Sequence, residues 1–268
     1  LFNSARQVAR QWWGNQVALN NVPGSLALKD GISTFCALLI YESVYGKAEV
    51  QKVLYNLFDW YLLNARWNAV RQQPVLSGNM STETDNKVAL VLYGLKETIG
   101  DELLIKALLD FKQRWEYKTT GPFAGISDLN SLLKNYVPAE HLPFLEDSWK
   151  KICFYDNSIA FAAFTTGRSG EKFLNVILNV SKHVVDSTGA EREESIDGEK
   201  IDIALWGKNK DGDKFLITQQ SFPLHSGRNE IQIPSSIQPA FIQLDPGYKM
   251  MDRNRYSNRE YSKIESVN

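Results

Sequence analysis

The 268-residue sequence has few of the residues that build metal centres and covalent frameworks, with three histidines and two cysteines. His141, His183 and His225 stand far apart and show no ligand spacing, so they read as surface or hydrogen-bonded structural residues. Cys36 and Cys153 each lie in an apolar run and read as buried thiols rather than a disulfide or a nucleophile. Neither charge is in excess: 30 Lys and Arg face 31 Asp and Glu, so no global field directs the chain to nucleic acid or an anionic membrane. The longest apolar run, Phe35 to Tyr41, falls far short of the about 20 residues that span a bilayer. No Gly-rich loop opens a helix in a phosphate-cradling pattern, and no Ser, His and Asp set can be assembled from the sequence. Carboxylate pairs such as Glu193-Glu194, and Glu97 near Asp101, read as solvated charge.

What is present divides into two halves. In the first, apolar residues recur at helical spacing. Helices are expected from Ala5 to near Gly14, from Ser33 to Tyr45 with Gly46 as the stop, along the stripe Val50 to Tyr61, and from Val88 to Ile99. Two more follow, from Glu102 to Trp115 with Asp101 as its cap, and a short one through Leu133 that Ser127 and Asp128 can cap. From Lys151 the segments shorten and become rich in β-branched and aromatic residues. Strands are expected at Lys151–Tyr155, Ser158–Thr166, Lys172–Val185, Lys200–Trp206, Lys214–Gln220, Asn229–Ile233 and Ala240–Leu244, separated by turn signals that include Asp156-Asn157. With no helix between consecutive strands, the pattern predicts an antiparallel sandwich. The fold class is therefore α+β: a helical region over 1–145, an antiparallel β-sandwich over 146–247, and a polar tail over 248–268 that frays or lies along the surface. The chain opens at Leu1 with a helical pattern already running by Ser4, which implies a piece of a longer polypeptide.

One segment carries a family resemblance. Gln11-Trp12-Trp13-Gly14-Asn15-Gln16-Val17 resembles the Q-W-W-G-x-x-V run that follows the zinc motif in aminopeptidase N-like metallopeptidases, the gluzincins. Gly31-Ile32-Ser33, Tyr41-Glu42-Ser43-Val44-Tyr45-Gly46, Asp245-Pro246-Gly247 and Met251-Asp252-Arg253 extend it in order over nearly the whole chain. It is nearest a bacterial subgroup in which such a domain is joined to permease segments. The resemblance implies the C-terminal half of the catalytic region followed by a β domain.

The resemblance also implies a zinc site, with H-E-x-x-H just before Q-W-W-G: two imidazoles one turn apart on one metal, and a glutamate as general base. This sequence reads Arg6-Gln7-Val8-Ala9-Arg10 there. A guanidinium has no lone pair to offer and repels a dication, and glutamine cannot take up a proton near neutral pH. The third ligand, a glutamate before glycine in the family, aligns with Asp30 before Gly31, and the tyrosine of a Y-x-K-G segment aligns with Asp85. The expectation is no zinc, no other cofactor and no catalysis. Arg6 or Arg10 should instead form a structural salt bridge with Asp30.

The implied role is a pseudo-peptidase, an interaction or structural domain of a larger bacterial membrane-associated protein. Two alternatives stand beside it: a divergent zinc aminopeptidase completed by an upstream segment, and a peptide-binding domain without hydrolysis. The expected partners are that upstream segment and a peptide or protein, with no nucleic acid and no membrane insertion by this chain. An extracytoplasmic or membrane-associated location follows only through the parent protein.

Overall fold

A computed structural model describes residues 1–67, 73–77, 81–186 and 188–267. The chain is mixed α+β and separates into two compact units. The first comprises Leu1–Ile152 with the short returns Val185–Ala190 and Gly247–Lys249; the second comprises the remainder. Among the described residues no helix is long and apolar enough to cross a membrane.

The first unit is helical. Helix α1 covers Phe2–Ala9, and a π-helical turn, Ala27–Gly31, runs directly into α2, Ile32–Tyr45. The first three main helices after it are α3 (Lys47–Trp67), α4 (Ser81–Ile99) and α5 (Asp101–Trp115). Then come α6 (Ile126–Leu133) and α7 (Leu142–Lys150). Along α3 the buried residues Val50, Leu54, Phe58 and Tyr61 form one stripe, as their helical spacing requires. Helix α4 has no such stripe. Val88 through Tyr93 are all buried, because α4 packs on α2, α3 and α5 at once. Gly46 and Gly100 end α2 and α4 at φ 84° and 87°, a left-handed region that costs a glycine little. Helix α6 is capped where Asp128 accepts the Gly125 N–H at 2.8 Å.

Two expectations need correction here. Helix α1 stops at Ala9, not near Gly14, and the Gln-Trp-Trp-Gly run is irregular. Gly14 sits at φ 121°, which no helix permits, and Val17 bridges to Glu116 instead. Of the two tryptophans, Trp13 is core and Trp12 is exposed. The helical unit also extends past 145, because α7 forms over Leu142–Lys150; Pro143 sits in its first turn, where a missing N–H costs nothing.

The second unit is a two-sheet sandwich. Strands β1 (Ile152–Thr166), β2 (Lys172–Val185), β3 (Glu191–Glu194) and β8 (Glu265–Val267) form one sheet in the order β3-β2-β1-β8, and β6 (Gly227–Pro234) also pairs with β2. The other sheet has the order β5-β4-β7, with β4 at Asp197–Lys208, β5 at Lys214–His225 and β7 at Phe241–Leu244. The pairings β2–β6, β4–β5 and β4–β7 are antiparallel. Leu174, Val176, Leu178 and Val180 from β2 meet Ile201, Ile203 and Leu205 from β4 in one core, each set at the two-residue period of a strand.

The sandwich also departs from expectation. Asp156-Asn157 is not a turn: β1 runs through it unbroken. The chain after Tyr248 is not a loose tail either. Tyr261 and Ile242 exchange backbone hydrogen bonds at 2.8 and 2.9 Å, and β8 lies parallel to β1. A short helix, α8 (Arg255–Arg259), lies between.

Candidate functional site

The expected site residues lie at the start of the helical unit. Arg6 and Arg10 are one turn apart and half-buried on the side of α1 that carries the buried Ala5 and Ala9; Gln7 is exposed. Asp30 is presented by the π-helical turn, whose wider winding re-aims a side chain relative to a plain helix. The Arg10 Nη2 and Asp30 Oδ1 atoms form an ion pair, and Arg10 Nη1 donates to Gln7 Oε1 at 3.1 Å. Asp30 Oδ1 is buried, and Arg10 supplies its counter-charge. The structure thus brings Arg10, Gln7 and Asp30 together, with Arg6 one turn before Arg10. Asp85 falls in the first turns of α4, and its side chain lies outside the described residues.

The backbone around Asp30 is firmly held. Thr34 Oγ1 donates to the Asp30 carbonyl at 2.8 Å. A Cβ on Gly31 would come within 2.6 Å of the Val88 side chain, so glycine is what lets α4 approach this turn. One on Gly14 would lie 3.0 Å from the Lys29 stem, which covers that glycine. Beside Val88, Lys87 is buried and donates from Nζ to the Lys151 carbonyl at 3.0 Å.

Zinc does not fit this arrangement. A zinc ligand must bring a lone pair, and of Arg6, Arg10 and Asp30, where the resemblance implies ligands, two carry guanidinium groups that only donate. The one carboxylate is already neutralised by Arg10. Among the described residues no three or more His, Cys, Asp or Glu side chains come together as a metal would require. Each histidine has local partners: His141 Nε2 is 3.4 Å from Glu140, and His183 Nε2 is 3.3 Å from Asp156 and 3.2 Å from Ser181 Oγ. The His225 N–H donates to Asn229. Burial pushes the Cys36 thiol up to about 11, which keeps it protonated and unreactive at neutral pH.

Two polar centres were not anticipated. Glu97, read as solvated, pairs with Lys47 at 2.5 Å and with the buried Lys96 at 3.3 Å; Lys96 also meets Glu42 at 3.0 Å. In the sandwich, Lys182 is only 2% exposed, with Nζ 2.7 Å from Glu199 and 3.7 Å from Glu194. Glu199 also accepts from the Tyr155 hydroxyl at 2.5 Å. A signal for Lys182 was present: it follows Leu174, Val176, Leu178 and Val180 at the same alternating, inward positions.

No model of a known family matches the sequence, and no curated protein does. Solved structures do. Aminopeptidase A from Legionella pneumophila, crystallised with aspartic acid, matches with a TM-score of 0.54 and 15% identity, over 100% of this chain and 27% of that one. The fold is that of part of an aminopeptidase. An M1 zinc metallopeptidase from Deinococcus radiodurans, a mutant bound to a Tyr-Ser-Ala substrate, matches with a TM-score of 0.43 and 23% identity, over 56% of this chain and 32% of that one. The chain thus spans less than a third of the length of either.

Proposed function

We propose that this chain is a non-catalytic, aminopeptidase-like module that serves as an interaction or structural domain of a larger bacterial membrane-associated protein. One observation carries the reading: Arg10 lies between Gln7 and Asp30, at the positions where the resembled enzymes hold a metal and its general base. Generating hydroxide from water at neutral pH needs a Lewis acid or a proton acceptor. Arginine supplies neither, and glutamine is no base. What remains is an aminopeptidase-like scaffold with a neutralised centre.

Elemental analysis of protein purified without chelator, run beside a chromogenic leucyl or alanyl amide assay, tests the proposal. The expected result is no stoichiometric zinc and no turnover above buffer. One zinc per chain with chelator-sensitive turnover would overturn it and support the divergent enzyme instead.

A further inference from the structure

The edges of the sandwich are not treated alike. The chain's own C-terminal segment covers β1 and β7, through β8 and through the backbone exchange between Tyr261 and Ile242. Strand β6 is open beyond its pairing with β2, but it carries the charges Arg228 and Glu230 and closes on Pro234, devices by which edge strands avoid further pairing. Strand β5 is the exception. It ends its sheet, with β4 on one side and no strand on the other among the described residues. From Phe215 to Leu224 it has no charged side chain, and Lys214 before them is paired with Glu260.

The part of this edge that can pair is short and defined. The β4–β5 register passes over Ile217, and Pro223 has no N–H to offer, so a regular ladder runs from Thr218 to Phe222. Thr218, Gln220 and Phe222 lie opposite Leu205, Ile203 and Ile201 and face the core side, while Gln219 and Ser221 point outward and are exposed. Two such ladders fit each other antiparallel about a two-fold axis at Gln220. Thr218 then meets Phe222 of the second copy, Gln219 meets Ser221, and each pair shares a face. A carboxamide both donates and accepts, so Gln220 complements its own copy, and no charge confronts a like one. Beyond the ladder, the exposed Phe215 and Leu216 of each copy fall against the Leu224 end of the other. We propose that the outer edge of β5 is a self-association surface, which joins two copies of this chain through one continuous sheet. The proposal does not depend on the Arg10–Asp30 centre.

Sedimentation velocity on the full chain over a wide concentration range tests it. The unaltered chain should pass from monomer to dimer with no larger species, because a two-fold contact closes on itself. Gln219→Lys with Ser221→Lys sets like charges across the axis at two exposed positions. That variant should stay monomeric, with an unchanged urea midpoint at dilution. Gln219→Glu with Ser221→Lys sets opposite charges across the axis and should restore the dimer. Gln220→Cys should form a disulfide-linked dimer on mild oxidation, since directly opposed Cα atoms lie about 4.5–5.5 Å apart. Leu216→Cys, exposed but away from the axis, should not, and neither should the unaltered chain. A chain that is monomeric throughout, a dimer that survives the paired lysines, or equal cross-linking of the two cysteine variants would overturn the proposal.

Discussion

The helical unit and the sandwich both enclose charge, but they hold it differently. In the helical unit the Arg10–Asp30 pair is partly wetted and sits on a backbone that steric fit already fixes, through Gly31 against Val88. In the sandwich, Lys182 is wholly enclosed among β1, β2, β3 and β4, and its partners Glu199 and Glu194 are what make its burial tolerable. Removing one partner of a buried pair strands an ion, whereas loosening a half-exposed pair lets water substitute. The lesson is that the polar site a sequence motif singles out need not be the most consequential one in the fold.

The sharpest way to break this comparison is Glu199→Ala. It takes the nearest carboxylate from the buried Lys182 ammonium and removes that acceptor from the Tyr155 hydroxyl, so it should cost about 3–5 kcal/mol, towards the lower end because Glu194 stays within reach. Lys182→Met, which keeps the stem and drops the charge, should cost clearly less; chemical denaturation of both variants decides. Equal losses would show that the lysine matters through its packing and not its charge.

Next comes Asp252, buried where the C-terminal segment meets β1. Burial pushes its carboxyl up to about 6, although the Asn254 and Asn157 N–H groups and the Asn258 amide donate to it and hold it down. A carboxyl raised in the folded state stabilises the fold when protonated. That contribution is complete below about pH 4 and is lost as pH rises through 6. Acidification from pH 7 to 4 should therefore add up to about 3 kcal/mol through this one group, opposite to the ordinary carboxylate trend. Carbon-detected titration of Asp252 should show a midpoint near 6, and a midpoint below 4 would refute it.

The smallest effect probes the steric half of the comparison. Gly31→Ala drives a methyl into Val88, a β-branched side chain with little room to turn, and should cost about 1–3 kcal/mol. Val88→Ala in the same chain should recover much of the loss. A neutral Gly31→Ala would mean that the turn holding Asp30 is less tightly fixed than its packing indicates.

Much of this was legible locally. The period of apolar residues located α2 through α6, and β2 was read with its ends correctly placed, because a pattern set by neighbours three, four or two positions away is written in the sequence itself. That Arg6 and Arg10 can offer a metal no lone pair was equally plain, since a guanidinium lacks one in any fold. Tertiary structure decided what depended on distant partners. Asp156-Asn157 carries turn chemistry, yet Asn157 is buried within β1: its N–H meets Asp252, and its carbonyl accepts from Asn254 and Asn258, about a hundred residues later. The polar segment after Tyr248 becomes part of the sandwich for the same reason, since its hydrogen-bonding groups find a sheet that no local window contains. The Arg10–Asp30 pair also waited on the fold, because the π-helical turn that presents Asp30 and the end of α1 at Ala9 do not follow from helical periodicity.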